Sequence, residues 1–292
     1  MKQTVQSDYA KLKSVLLKHP RDAFRSRDYL AAHWQDLHYL ARPDYDQALR
    51  EYEAFVEIFI AHNIEVNFLP ATPDTGLDSI YVRDASIPTD QGVLICNMGK
   101  RQRQGEPSAQ LSFYLQNNWP VLGSFQPPAT IEGGDVAWLR PDILAAGHGY
   151  RTNKAGIDML RELTAHTVKE VVVMEAPHYK GPDDVFHLMS VLSPVDHNLA
   201  VVYSPLMSVP FRNHLLDLGF ELVEVPDEEF DTLGSNVLAI APRVCIMVAG
   251  NPLTKSRLQA AGAEVIEFSG EEICLKGSGG PTCLTRPLIR QL

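Results

Sequence analysis

Residues 136–147 read Val-Ala-Trp-Leu-Arg-Pro-Asp-Ile-Leu-Ala-Ala-Gly, two apolar runs separated by a Pro-containing break. Runs of β-prone residues on either side of such punctuation are the pattern of a hairpin. The pattern recurs as ASI-PTDQG-VLICNM from Ala85, LMSVL-SPVDHN-LAVVY from Leu188 and VLAI-APR-VCIMV from Val237, so successive starts lie 51, 52 and 49 residues apart. A helix-like stretch and another β-like run follow each hairpin. The helix-to-strand junctions FIAHNIEVNFL, LLDLGFELVEV and LQAAGAEVIEF look alike. In two of them Gly219 and Gly262 stand where a helix C-terminus favours positive φ.

The last hairpin is incomplete, because Cys283 is followed by Leu-Thr-Arg-Pro-Leu-Ile and little else. The N-terminal run LKSVLLKHP supplies the missing partner if the chain closes into a ring, an arrangement that removes exposed strand edges. The expectation is one α/β domain over residues 1–292, built from about five ββαβ units, rather than the two domains that length alone suggests.

Composition narrows the class. With 45% hydrophobic and 21% charged residues the chain can bury a sizeable core and is neither disordered, collagen-like nor disulfide-dense. A formal charge of −10, with no basic run beyond Lys100-Arg101, argues against nucleic acid, where a basic face supplies most of the affinity. The opening MKQTVQSDYAKLK lacks the apolar core of a signal peptide, and no stretch has the roughly 18 apolar residues of a membrane span. A cytoplasmic protein without a membrane partner is expected. Cys96, Cys245 and Cys274 lie in apolar strings and read as core thiols, whereas Cys283 follows the flexible GSGGPT.

Chemistry recurs at one place in each unit, just before the first strand. Arg83 and Asp84 precede Ala85, Glu132 and Asp135 precede Val136, His187 precedes Leu188, Ser235 and Asn236 precede Val237, and Cys283 holds that place in the last unit. Singly, each has a plain reading: a turn at Glu132-Gly-Gly-Asp135, a core histidine at His187, a turn-capping carboxylate at Asp84, a surface thiol at Cys283. Equivalent positions in a closed ring point at a common axis. The set then becomes a thiol, an imidazole and carboxylates, the nucleophile–base–orienter pattern of covalent catalysis. No metal-ligand spacing exists among the ten histidines, His33 and His38 are expected to share a solvated helix face, and no metal or cofactor is expected. GSGGPT lacks the Lys-Ser/Thr of a phosphate loop.

These motifs, in this order, resemble the guanidino-group modifying enzymes, the pentein superfamily of five-bladed pseudo-symmetric α/β propellers. Members include arginine deiminases, agmatine deiminases, amidinotransferases and dimethylarginine dimethylaminohydrolases. The resemblance implies Cys283 as nucleophile, His187 as general acid/base and Glu132 as its assisting carboxylate. It further implies Asp84 on the guanidinium, Arg103 and Arg151 on the substrate carboxylate, and Asp78 on the α-amino group. In place of the His-x-Asp of deiminases and amidinotransferases the chain has His187-Leu188-Met189-Ser190, closer to the dimethylarginine hydrolases. Against that, Arg83 replaces the acidic residue usual before Asp84. The implied partner is a small cationic guanidino substrate, with arginine deimination or amidino transfer as alternatives. Oligomeric state stays open, a homodimer included. The segment from Arg21 to Asp46 reads equally as a lid over the site or as a surface helix.

Overall fold

Each hairpin-plus-strand unit of the sequence folds as its own small sheet. In the computed structural model, which describes residues 3–184 and 186–292, strand Val136–Arg140 runs antiparallel to Ile143–His148, with Val136 opposite Ala146. The helix Lys154–Thr164 then returns the chain so that Glu170–Glu175 lies parallel to Ile143–His148, with Ala145 beside Val172. The same order of antiparallel hairpin, helix and parallel strand appears in the sheets that start at Ser86, Leu192 and Leu238.

The fifth sheet closes the ring as the sequence pattern requires. Arg286–Gln291 pairs antiparallel with Lys11–Leu17, which pairs parallel with Glu65–Phe68, and the short Gln3–Thr4 covers the other edge. Joining both ends of the chain in one sheet places Arg286–Gln291 and Lys11–Leu17 in its interior, each paired on both sides. Five small sheets in a pseudo-symmetric ring make an α/β propeller.

Local chemistry sets the element ends. The Asn153 side chain caps Lys154–Thr164 by accepting from the Gly156 N–H, and Ile157 and Leu160, three apart, bury its inner face. Gly219 and Gly262 take φ of 81° and 82° after their helices, and Asn63 takes 55° at the corresponding junction. The strands of the hairpins are buried on both faces, between helices and neighbouring units, which explains their near-continuous apolar runs. Units share their cores: Leu188, Leu192 and Val202 pack with Ala137, Leu139 and Ala145 of the preceding unit. Cys96, Cys245 and Cys274 are core residues.

One expectation fails locally. His33 and His38 do not share a helix face, because the helix Arg27–His33 ends at the first and His38 takes φ 64° beyond it. Among the described residues, no helix is long and apolar enough to cross a membrane.

Candidate active site

The residues ahead of the first strands converge at one end of the ring. Single turns hold them there: Leu77–Ile80 carries Asp78, Gly133–Asp135 follows Glu132, and Leu188–Ser190 follows His187. Ser190 Oγ accepts the His187 backbone N–H at 3.1 Å and so braces the histidine turn. Cys283 lies in the turn that leads into Arg286–Gln291.

His187 Nε2 and Glu132 Oε2 are 2.8 Å apart, and His187 Nδ1 lies 3.9 Å from Asp84 Oδ1. The other Glu132 oxygen accepts the Lys100 backbone N–H at 3.0 Å, and Arg151 approaches Oε2 at 3.4 Å. Asp135 braces the same turn, accepting from Thr152 Oγ1 at 2.6 Å and from the Leu188 N–H at 2.9 Å. Asn236 Nδ2 donates to Cys283 Sγ at 3.3 Å. A Cβ at Gly134 would fall 2.6 Å from both Asp84 Oδ1 and His187 Nδ1, so only glycine keeps the space between these two atoms open.

Burial opposes charge on every one of these groups, and their mutual attraction decides which of them keep it. Burial disfavours the His187 imidazolium, but Asp84, Asp135 and Glu132 outweigh that and push it up to about 9. Glu132 is likewise penalised by burial, yet the His187 hydrogen bond and charge, with Arg151 and Arg103, hold it well below the usual carboxylate range. Asp135, without a cation in contact, is pushed up to about 6, chiefly by burial. The Cys283 thiol is pushed up to about 11 by burial and by the Asp84 carboxylate, against the Asn236 hydrogen bond. At neutral pH the resting pair is therefore a thiol and an imidazolium, a weak nucleophile beside a ready proton donor.

Two cavities meet at this pair. The smaller, about 30 Å³, is lined by Asp78, Asp84, Lys100, Arg103 and Arg151 and roofed by Leu37 and His38. Lys100 Nζ binds Asp78 Oδ2 at 2.6 Å and the Leu37 carbonyl at 3.2 Å, and the Leu40 N–H reaches the Lys276 carbonyl at 2.7 Å. Of the segment from Arg21 to Asp46, Leu37 and His38 thus line the charged cavity. The larger, about 370 Å³, also touches His187 and Cys283.

All seven residues singled out in the sequence line this end of the ring, but Arg103 is deployed differently from the expectation. Its Nε and Nη2 bind Glu106 at 2.9 and 2.7 Å, its Nη1 binds Asp84 Oδ2 at 2.5 Å, and the Tyr81 carbonyl takes Nη2 at 2.9 Å. Although Arg103 lines the cavity, all three of its nitrogens are engaged by protein carboxylates and carbonyls. The sequence reading gave no site role to Lys100, Glu106, Asp8 or Asn236. Only Asn236 carried a signal, its place ahead of a first strand. Arg83 is buried against Asp8 at 2.6 Å, and Asp8 accepts the Trp138 N–H at 2.7 Å, so the unusual arginine before Asp84 is balanced from the N-terminal segment. Among the described residues, Asp84, Glu132 and His187 bring potential metal-ligand atoms within 4.8 Å of one another, a grouping that spacing along the chain cannot reveal. With Glu132 and Asp84 already committed to His187, Arg103 and Arg151, the set is built for proton and cation handling.

Comparisons with known proteins bear on family and fold. The family model described as N,N dimethylarginine dimethylhydrolase, eukaryotic, matches residues 35–290. An uncharacterized protein of Bacillus subtilis is 29% identical over 99% of this chain and 96% of its own length. The N(G),N(G)-dimethylarginine dimethylaminohydrolase of Pseudomonas aeruginosa is 28% identical over 85% of this chain and 91% of its own. A solved structure of a dimethylarginine dimethylaminohydrolase from Pseudomonas aeruginosa, a cysteine-to-serine mutant complexed with citrulline, superposes with a TM-score of 0.77 at 23% identity, covering 95% of this chain and all of that one. With its five-unit ring and a matching family model over nearly nine-tenths of its length, the chain belongs to the N,N-dimethylarginine dimethylhydrolase family, hydrolases that act on guanidino C–N bonds.

Proposed function

We propose that the protein hydrolyses the guanidino group of N-methylated L-arginine, and of arginine itself more slowly, giving citrulline and an amine through a covalent adduct on Cys283. The observation that carries this reading is the seat of Cys283 and His187 at the inner end of a small cavity with Asp78, Lys100 and Arg151 on its walls. A zwitterionic head group needs one carboxylate and cations around it, and an arginine fork suits the substrate carboxylate better than a lysine does.

A guanidinium is resonance-stabilised and a poor electrophile, so a strong nucleophile is required. The thiol becomes a thiolate when the cationic substrate enters, because the substrate's charge offsets that of Asp84; its proton passes to solvent, since His187 is already an imidazolium. Sγ attacks the guanidinium carbon while Asp84 holds its nitrogens. His187 Nδ1, free because Nε2 faces Glu132, protonates the departing amine. The neutral imidazole then draws a proton from water, water adds to the thiouronium carbon, and citrulline leaves. Arg103 acts through Asp84 as a positioning residue. The missing second carboxylate beside His187, where Met189 stands, makes the pocket less anionic and better suited to N-methyl groups.

The test is to incubate the protein with dimethylarginine, arginine and agmatine, quantify citrulline and amine, and weigh the intact chain during turnover. Citrulline from dimethylarginine, lost in Cys283→Ser, is expected. Turnover that survives Cys283→Ser would rule out the covalent route.

A further inference from the structure

Asp78, the carboxylate that the sequence resemblance gives to a substrate α-amino group, already holds a cation of the protein. Lys100 Nζ binds Asp78 Oδ2 at 2.6 Å, and each side chain is only 8% exposed. A second bond, to the Leu37 carbonyl at 3.2 Å, fixes the same ammonium. The lysine is anchored at its backbone as well, where its N–H donates to Glu132 Oε1 at 3.0 Å. Gly99 makes that seat possible: a Cβ there would lie 2.5 Å from the Arg151 carbonyl oxygen, so the chain passes too close to Arg151 for any side chain. Asp78 and Asp84 are the two carboxylates lining the charged cavity, and Asp84 is needed for the guanidinium. Asp183, in the wall of an adjoining cavity beside Arg101, is exposed. Among the lining residues, the head end of the site therefore offers Lys100 and Arg151 to a carboxylate and no uncommitted buried carboxylate to an ammonium.

We infer that Lys100 is a built-in stand-in for a substrate α-ammonium, and that the substrate class extends to ω-guanidino carboxylates that lack the α-amino group. The inference rests on the covalent hydrolytic reading above and widens it. A site that waits for an ammonium with a bare buried carboxylate rejects an analogue lacking that group by roughly 10⁴-fold, because the carboxylate is left unpaired. Here Lys100 keeps Asp78 paired whether or not the substrate brings an amine. An arginine α-ammonium gains only a share of Asp78 and must sit beside a second cation, which offsets much of what the contact contributes. The carboxylate, common to both substrate classes, meets Arg151 and the remaining Lys100 proton. The reaction is unchanged at the other end. The Sγ–C bond forms and the C–N bond breaks, its electron pair staying on the departing amine, which takes the His187 proton, and water then supplies the oxygen. The desamino analogue of dimethylarginine, δ-dimethylguanidinovalerate, and one water thus give δ-ureidovalerate and dimethylamine.

The experiment compares dimethylarginine with δ-dimethylguanidinovalerate by dimethylamine release, in the native chain and in Lys100→Met. The native enzyme is expected to turn over the desamino analogue with kcat/KM within about tenfold of that for dimethylarginine. A larger loss overturns the inference and leaves the hydrolytic reading intact. Lys100→Met uncovers Asp78, so its preference for dimethylarginine over the analogue is expected to rise at least ~10-fold above the native one. A smaller rise in a folded Lys100→Met also overturns the inference. If that variant fails to fold, the native comparison decides alone. Dimethylamine from neither substrate, together with no ammonia from arginine, overturns the hydrolytic reading itself and this inference with it.

Discussion

Arg103 donates to Oδ2 of Asp84 at 2.5 Å, while Oδ1 of the same buried carboxylate has no hydrogen-bond partner within the protein. One oxygen is fixed and the other presented, as the proposed hold on a guanidinium requires. Arg103→Lys keeps a charge but cannot bridge Asp84 and Glu106 together. Its kcat on dimethylarginine is expected to fall about 10- to 100-fold with KM less affected, because a loosened Asp84 misplaces the carbon rather than abolishing binding. Steady-state kinetics check this; an unchanged kcat with raised KM would return Arg103 to the substrate carboxylate.

Gly134 gives a sharper result. The methyl of Gly134→Ala enters the space between Asp84 Oδ1 and His187 Nδ1, both 2.6 Å from the added carbon. Turnover is expected to drop by at least 10³-fold while Tm moves by only a few degrees, since the new group faces the cleft. Equal loss of activity and of thermal stability would instead mark the glycine as a packing residue.

Much of this was legible in the sequence because repetition reports geometry. Four hairpins near 50 residues apart identified the ring, and the shared position ahead of each first strand brought Asp84, Glu132, His187 and Cys283 to one place. The partner of Arg286–Gln291 could be named from the incomplete last hairpin. What stayed hidden were pairings between residues with no common register. Asp8 balances Arg83 across 75 positions, and Lys100 meets Asp78 through a loop outside the repeat. Arg103 matched a family motif, yet its direction is set by Glu106 three residues on, which the motif does not encode.

The Asp8–Arg83 pair should govern stability. Arg286 is pushed down to about 10 by burial and by Arg83, and Arg290 falls to about 10 through burial and the same neighbour. Asp8, although opposed by burial, is held below the usual carboxylate range by Arg83 and Arg290. Asp8→Asn therefore leaves three buried guanidinium groups without their counter-charge and is expected to cost about 3–5 kcal/mol. Replacing both partners, as Asp8→Leu with Arg83→Met, is expected to cost less than Asp8→Asn alone. Urea denaturation of the variants decides; additive losses would deny the coupling.

Asp84 should pull alkylation and turnover in opposite directions. In the free protein its carboxylate, together with burial, pushes the Cys283 thiol up to about 11, and it helps push His187 up to about 9. Iodoacetamide reacts with the thiolate, so the alkylation rate of Cys283 is expected to be slow at pH 7 and to climb about tenfold per pH unit toward pH 10. Asp84→Asn removes the repelling charge, lowers the thiol pKa and speeds alkylation at pH 8 several-fold. The same change removes the group proposed to hold the guanidinium, so turnover is expected to fall by at least 10²-fold. It also lowers the His187 pKa, and the decline of any residual kcat/KM with rising pH, set by loss of the imidazolium, begins at lower pH than in the native enzyme. Alkylation with a midpoint near the free-cysteine value of about 8.5, unaltered by Asp84→Asn, would show that this carboxylate does not control the nucleophile.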